Sequence, residues 1–170
     1  MELITSRRNP LVGRLRALHQ PKGRRELGLL LLEGTHQIQE LLRLGHRPEQ
    51  LLATPAWLER YGDLIAAAAW QPQPVGDEVL AAVATTDSPD GVVATLAREA
   101  LPAARGQGRF VLALDQLQDP GNLGTLLRTA LAAGVDELWL GGGADPLQPK
   151  VLRASAGAGL ALPLLREADR

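Results

Sequence analysis

The densest run of side chains able to do polar chemistry is Asp115-Gln116-Leu117-Gln118-Asp119-Pro120-Gly121-Asn122-Leu123-Gly124-Thr125-Leu126-Leu127-Arg128. It follows an apolar stretch with strand character and leads into one with helical spacing. That is where free backbone N–H groups favour anions and where open α/β sheets place ligands. Asn122 falls at the expected N-cap, where its amide serves either the first helical N–H groups or a ligand. Gly124 permits close approach of a ligand or of another chain segment, and is equally a tolerated small residue. Arg128 stands among Leu126, Leu127 and Ala130, a setting in which an arginine either snorkels to water or is held for a buried anion.

Two further sets carry cations. Lys150, Arg153 and Ser155 precede Gly157 and Gly159, and the two cations, three residues apart, share a helical face suited to phosphate or to the negative end of the helix dipole. The chain's net charge is -1, yet residues 1 to 30 carry Arg7, Arg8, Arg14, Arg16, Lys22, Arg24 and Arg25 against Glu2 and Glu26, a local +5 balanced by -6 elsewhere. Such a field attracts a polyanion, and the planar guanidinium fork suits phosphate, although a solvated, salt-bridged helix has the same composition.

Other chemistries are excluded or disfavoured. Gly121-Asn122-Leu123-Gly124 is not the dinucleotide-binding G-x-G-x-x-G, and Gly141-Gly142-Gly143 does not lead into G-K-[ST]. With 0 cysteines there is no disulfide, thiolate nucleophile or sulfur-ligated zinc, and the 3 histidines, His19, His36 and His46, lack metal-ligand spacing, so no metal is expected. No secretory leader or apolar run of membrane-spanning length is evident, which makes the cytoplasm the expected location and a membrane an unexpected partner.

The elements that must position these groups read as α/β. A chain of 170 residues buries a substantial core, and with only 3% aromatic residues that core is built from Leu, Val and Ala. Asn9-Pro10 opens a helix through Leu11, Leu15 and Leu18, broken at Gln20-Pro21-Lys22-Gly23. Leu29 to Leu32 reads as a buried strand, followed by a helix carrying Ile38, Leu41, Leu42 and Leu44 and capped by Gly45. Gln50 to Thr54 reads as strand, Pro55 to Tyr61 as helix, Ile65 to Trp70 as strand, the stretch from Asp77 to about Val83 as helix, and Val92 to Leu96 as strand. Residues 101–108 have linker composition, separating a domain of residues 1–100 from one of residues 109–170. There, Phe110 to Leu114 is expected to be a buried strand, with a polar loop over Asp115 to Gly121. A helix over Leu123 to Ala133 is buried through Leu123, Leu126, Leu127, Ala130 and Leu131. Glu137 to Leu140 is the next, parallel strand; Asp145-Pro146 caps a further helix, and Leu160 to Leu164 is a third strand.

The run from Asp119 to Gly124, with Arg128-Thr129-Ala130 and Gly134-Val135 beyond it, resembles the first motif of the SpoU, or TrmH, family of RNA ribose 2'-O-methyltransferases. Pro149 to Ala158 is similar to the family's next segment. Ile4-Thr5-Ser6, Asn9-Pro10, Arg24-Arg25, Glu33-Gly34 and Pro89-Asp90-Gly91-Val92 resemble the L30e-like substrate-binding domain fused ahead of many members. The resemblance implies a small L30e-like α/β/α domain followed by a SPOUT-type parallel α/β domain. It implies methyl transfer from S-adenosylmethionine to a ribose 2'-oxygen of rRNA or tRNA, completed at a homodimer interface. Asn122 and Arg128 are then the catalytic residues. Arginine is a poor general base, so Arg128 is expected to orient a flanking phosphate and stabilise the developing alkoxide. Arg7, Arg8, Arg24, Arg25, Lys150, Arg153 and Ser155 are the expected RNA contacts. The family's later Gly-Asn-Glu-Gly and Ser-Leu-Asn-Val segments do not occur here. The expectation is therefore the N-terminal two thirds of such an enzyme, truncated before its trefoil knot, without the main cofactor residues and inactive alone. The alternative is a noncatalytic RNA-binding protein working through its first domain.

Overall fold

The computed structural model describes residues 1–166. The chain divides into two compact units, Met1–Arg98 and Glu99–Arg170, and residues 167–170, the end of the second expected domain, lie outside the described residues.

In the first unit Asn9 caps α1 (Pro10–Ala17), its side chain accepting the Leu11 N–H at 2.9 Å, and the helix buries Val12 and Leu15. Pro21 does more than break that helix. It sits at the first position of α2 (Pro21–Leu27), where its missing N–H costs nothing, and Gly28 closes α2 at φ 62°. There follow β1 (Leu29–Glu33), α3 (Thr35–Arg43), β2 (Gln50–Ala53), α4 (Pro55–Ala66), β3 (Gln73–Pro74), α5 (Asp77–Val83) and β4 (Val92–Ala97). The sheet order is β1-β4-β2-β3, with β4 antiparallel to β1 and β2, and β3 parallel to β2. Leu29, Leu31, Leu52 and Val93 pack with Val12, Leu15, Val79 and Leu80, while Leu30, Leu32, Leu51 and Leu96 are buried as well. Cover on both faces explains strands that are apolar at successive positions rather than alternating.

The strand expected over Ile65 to Trp70 is absent. Alanine favours helix, so α4 continues to Ala66 and ends in a turn in which Ala69 takes φ 55° and Trp70 N donates to Ile65 O at 3.2 Å.

The second unit contains β5 (Val111–Leu114), α6 (Pro120–Ala132), β6 (Glu137–Leu140), α7 (Pro149–Ala154), α8 (Ala158–Ala161) and β7 (Leu164–Arg166), and its sheet runs β5-β6-β7, all parallel. The α/β expectation with a parallel second sheet therefore holds. Leu112, Leu114, Leu138, Leu140 and Leu164 face a core with Leu123, Leu127, Ala130, Val151, Ala158 and Leu162. On β5 Ala113 is exposed and its neighbours only half-buried, so this strand is covered on one face rather than fully buried.

The local structure departs from expectation at several points. In α6 Leu126 is half-buried and Leu131 exposed, because the helix offers its partners a stripe through Leu123, Leu127 and Ala130. Asp145 does not cap α7, which starts at Pro149 behind Gln148; its carboxylate instead accepts from Leu147 N at 3.0 Å and Arg166 at 3.2 Å. Leu160 and Ala161 belong to α8, and β7 begins only after Pro163, which has no N–H to give a ladder. Residues 101–108, read as a linker, are held to the second unit. Ala103 bridges Leu164, Arg105 N donates to Glu137 at 2.9 Å, and Arg109 N and Phe110 N both donate to Asp136.

Candidate functional site

The carboxyl edge of the parallel sheet is shaped by two loops in close contact. Gln116 adopts φ 53°, a left-handed conformation uncommon for a residue with a Cβ, and its side-chain amide donates to Gly141 O at 3.1 Å. A Cβ on Gly143 would stand 2.3 Å from Leu117 O, so only glycine lets the loop after β6 pass over the loop after β5. Ala144 N donates to Leu117 O at 2.7 Å and closes the junction. Beside it lies a recess of about 330 Å³ bordered by Leu114, Asp115, Trp139, Leu140, Gly141 and Leu165.

The N-cap of α6 is Asp119, not Asn122. The Asp119 carboxylate accepts Asn122 N at 2.7 Å, Pro120 occupies the first helical turn, and Asn122 lies inside that turn with its side chain exposed. The aspartate-proline pair was the available signal, since a capping side chain followed by proline is a standard helix start. Relieved of capping, the Asn122 amide is available to a ligand. Arg128 is exposed, and among the described residues its guanidinium has no hydrogen bond or ion pair. Its surroundings are therefore solvent rather than a buried anion site. It stands about 9 Å along the helix axis and about 120° around it from Asn122, and helical side chains lean toward the N-terminus.

Gly124 serves packing. A Cβ there would lie 2.4 Å from the Ala154 Cβ and 3.0 Å from Ser155 N, so α6 and α7 meet at backbone distance. Ser155 is likewise structural. It is fully buried, donates to Leu152 O at 2.8 Å and accepts Gly159 N at 3.1 Å, joining α7 to α8 and leaving nothing for RNA. Lys150 is exposed and Arg153 half-buried, both on α7.

In the first unit Arg7, Arg8 and Arg25 are exposed, as are Arg14, Arg16 and Lys22. Arg24 is not part of that surface. It is 4% exposed, and its Nη1 donates to Leu18 O at 2.7 Å and His19 O at 3.1 Å, so its charge satisfies carbonyls at the end of α1. The sequence cannot separate Arg24 from Arg25, because both stand in one short helix and only the packing of α2 on α1 decides which turns inward.

One carboxyl in the second unit is electrostatically distinctive. Glu137 is held below the usual carboxylate range, first by the Trp139 Nε1–H donated to it at 3.0 Å and then by the Arg105 N–H. Among the described residues no group of three or more His, Asp or Glu could hold a metal ion, and no helix is long and apolar enough to cross a membrane.

Comparison with known proteins places both units. Residues 9–94 match the MRM3-like substrate binding domain, and residues 109–170 match the SpoU rRNA Methylase family. An uncharacterized tRNA/rRNA methyltransferase of Synechocystis is 48% identical over 94% of this chain and 60% of its own length. The 23S rRNA (guanosine(2553)-2'-O)-methyltransferase RlmP of Bacillus subtilis is 33% identical over 98% of this chain and 65% of its own. Among solved structures, an AdoMet-bound rRNA methyltransferase from Sinorhizobium meliloti superposes with TM-score 0.79 at 31% identity, covering 99% of this chain and 66% of that one. An RNA 2'-O ribose methyltransferase gives 0.78 at 31% identity, covering 99% and 67%. The chain thus spans between 60% and 67% of the length of these proteins.

Proposed function

This chain belongs to the SpoU family of RNA methylases with an MRM3-like substrate-binding domain, and we propose that it serves the transfer of a methyl group from S-adenosylmethionine to a ribose 2'-oxygen of rRNA or tRNA. The observation that carries this reading is the pair of uncommitted groups on α6: the exposed Asn122 amide, freed from capping by Asp119, and the exposed Arg128 guanidinium. An aliphatic 2'-hydroxyl is a weak nucleophile that gains from fixed orientation and from a cation near its developing negative charge. Arg128 supplies the cation and, through its planar fork, a grip on the adjoining phosphate. Asn122 supplies one donor and one acceptor for the ribose. Exposed Arg7, Arg8 and Arg25 in the first unit, with Lys150 and Arg153 in the second, hold the RNA backbone and position it without reading its sequence. The active form is a homodimer working in the cytoplasm.

The methyl donor is the group the family implies. The recess at the carboxyl edge of β5 to β7 offers it apolar walls, the Asp115 carboxylate and the Gly141 backbone. These are too few polar partners for an adenosine and an amino acid together. The described residues therefore do not form a complete donor pocket.

The test, made on this chain carried to the full length of its relatives so that the donor pocket is complete, is single-turnover incorporation of labelled methyl from S-adenosylmethionine into rRNA and tRNA transcripts, with 2'-O-methylation read as resistance of the following phosphodiester to alkali. Incorporation that depends on Asn122 and Arg128 supports the reading. RNA binding without incorporation supports the noncatalytic alternative.

A further inference from the structure

A second recess lies wholly within the first unit. It measures about 270 Å³ and is bordered by Arg47, Glu49, Gln50, Trp70 and Gln71. Its two walls are fixed. Glu49 N donates to Thr95 O at 2.8 Å, pinning the entry to β2, and the left-handed turn at Ala69, with Trp70 N on Ile65 O at 3.2 Å, sets the backbone from which the indole projects.

Its side chains are uncommitted. Among the described residues Arg47, Glu49, Trp70 and Gln71 make no side-chain hydrogen bond or ion pair. Gln50, on the same wall, has a buried Oε1 with no hydrogen-bond partner among the described residues. Arg47 and Glu49 border one recess without pairing, which leaves a cation, a carboxylate and a half-buried indole around the same space. An ordinary turn after α4 explains the backbone at Ala69 and Trp70, and water suffices for the exposed Arg47 and Glu49, but neither accounts for the buried, unpartnered Gln50 Oε1 beside the half-buried indole.

We propose that this recess binds one unstacked nucleotide of the RNA substrate. Its ring stacks on Trp70, its phosphate meets Arg47, and an amino group on its base donates to Glu49. Every base has a π-face, so the indole binds without choosing among bases; the carboxylate is an acceptor and favours bases with an exocyclic amino group over uracil, which has none. The proposal rests on the RNA reading above and adds a base-dependent site to the phosphate contacts of that reading.

Titration of the full chain with three short ribo-oligonucleotides tests it: one abasic throughout, one carrying a single cytosine and one a single uracil. The expected result is roughly tenfold tighter binding of the cytosine oligomer than of the abasic one, with quenching of tryptophan fluorescence and weaker binding of the uracil oligomer. Trp70→Ala should bring the cytosine oligomer to the abasic level while leaving the salt dependence intact, and Trp70→Phe should retain the preference. Glu49→Gln should level cytosine and uracil; should Trp70→Ala fail to fold, this variant and Trp70→Phe decide. Equal wild-type affinity for abasic and base-bearing oligomers overturns the recess alone. Failure to bind any of the three overturns the RNA reading itself.

Discussion

Asp119 Oδ1 accepts the backbone N–H of Asn122 at 2.7 Å, so the carboxylate that opens α6 also fixes the turn from which the exposed Asn122 amide projects. Asp119→Ala removes the cap and should cost about 1 kcal/mol, whereas Asp119→Asn, which can still accept, should cost less. Urea denaturation measures both. Faster amide exchange at Asn122 in the alanine variant alone would tie the loss to this turn.

Gly124→Ala pits two effects against each other. Alanine is better than glycine inside a helix by about 1 kcal/mol, but the new methyl would lie 2.4 Å from the Ala154 Cβ and 2.9 Å from the Ala154 carbonyl carbon. Backbone cannot retreat as a flexible side chain can, and overpacking of this kind costs about 1 to 3 kcal/mol. The net result should be a lower melting temperature, and the double variant Gly124→Ala with Ala154→Gly should recover part of it.

Glu137 gives the second unit a defined response to acid. Its carboxyl is held down in the folded chain by Trp139 Nε1–H and Arg105 N–H. The stabilisation is therefore present above the unfolded carboxyl range, about pH 4.3, and lost as pH falls through the lower folded value. Glu137→Gln should melt below wild type at pH 7, and the gap should close as melts are repeated toward pH 3. A gap independent of pH would assign the loss to packing alone.

The sequence revealed most where one signal dominated. Asn9-Pro10, the apolar run from Leu29, and Leu123, Leu127 and Ala130 at helical spacing all became the elements expected. It misled where two readings shared a composition. Leu160 to Leu164 is apolar enough for a strand, yet Gly157 at φ 86° starts a short helix at Ala158 and Pro163 delays the strand. At the site, Asn122 and Arg128 were legible as polar groups on a helix start. That Asp119 frees one of them, and that Ser155 and Arg24 spend their polar atoms on helix ends, follows only from contacts between elements.

The basic segment can be dissected because its arginines differ in burial. Arg24→Ala removes a buried charged donor from two carbonyls and should cost about 3 kcal/mol of stability. The triple variant Arg7→Ala, Arg8→Ala and Arg25→Ala should keep its melting temperature, since all three side chains are exposed. Its affinity for single-stranded RNA should fall for all sequences, with the slope of log K against log salt shallower by about 0.7 for each phosphate no longer neutralised. An unchanged slope in titrations at several salt concentrations would return these three residues to plain surface.

Arg128→Lys separates a catalytic role from a packing one. The guanidinium is exposed and without a partner among the described residues, so lysine keeps the charge and the stem, and thermal stability should be unchanged. Lysine cannot reproduce the planar fork on a phosphate and places its charge elsewhere. A misplaced electrostatic group of this sort costs about 2.7 to 4 kcal/mol in the transition state, or about a hundred- to a thousand-fold in rate. In a chain of full enzyme length, with the donor pocket complete, single-turnover methylation at saturating RNA and S-adenosylmethionine should therefore collapse while the melting curve does not move. Turnover within a few-fold of wild type would remove Arg128 from the chemistry and leave Asn122 to be tested by the same measurement.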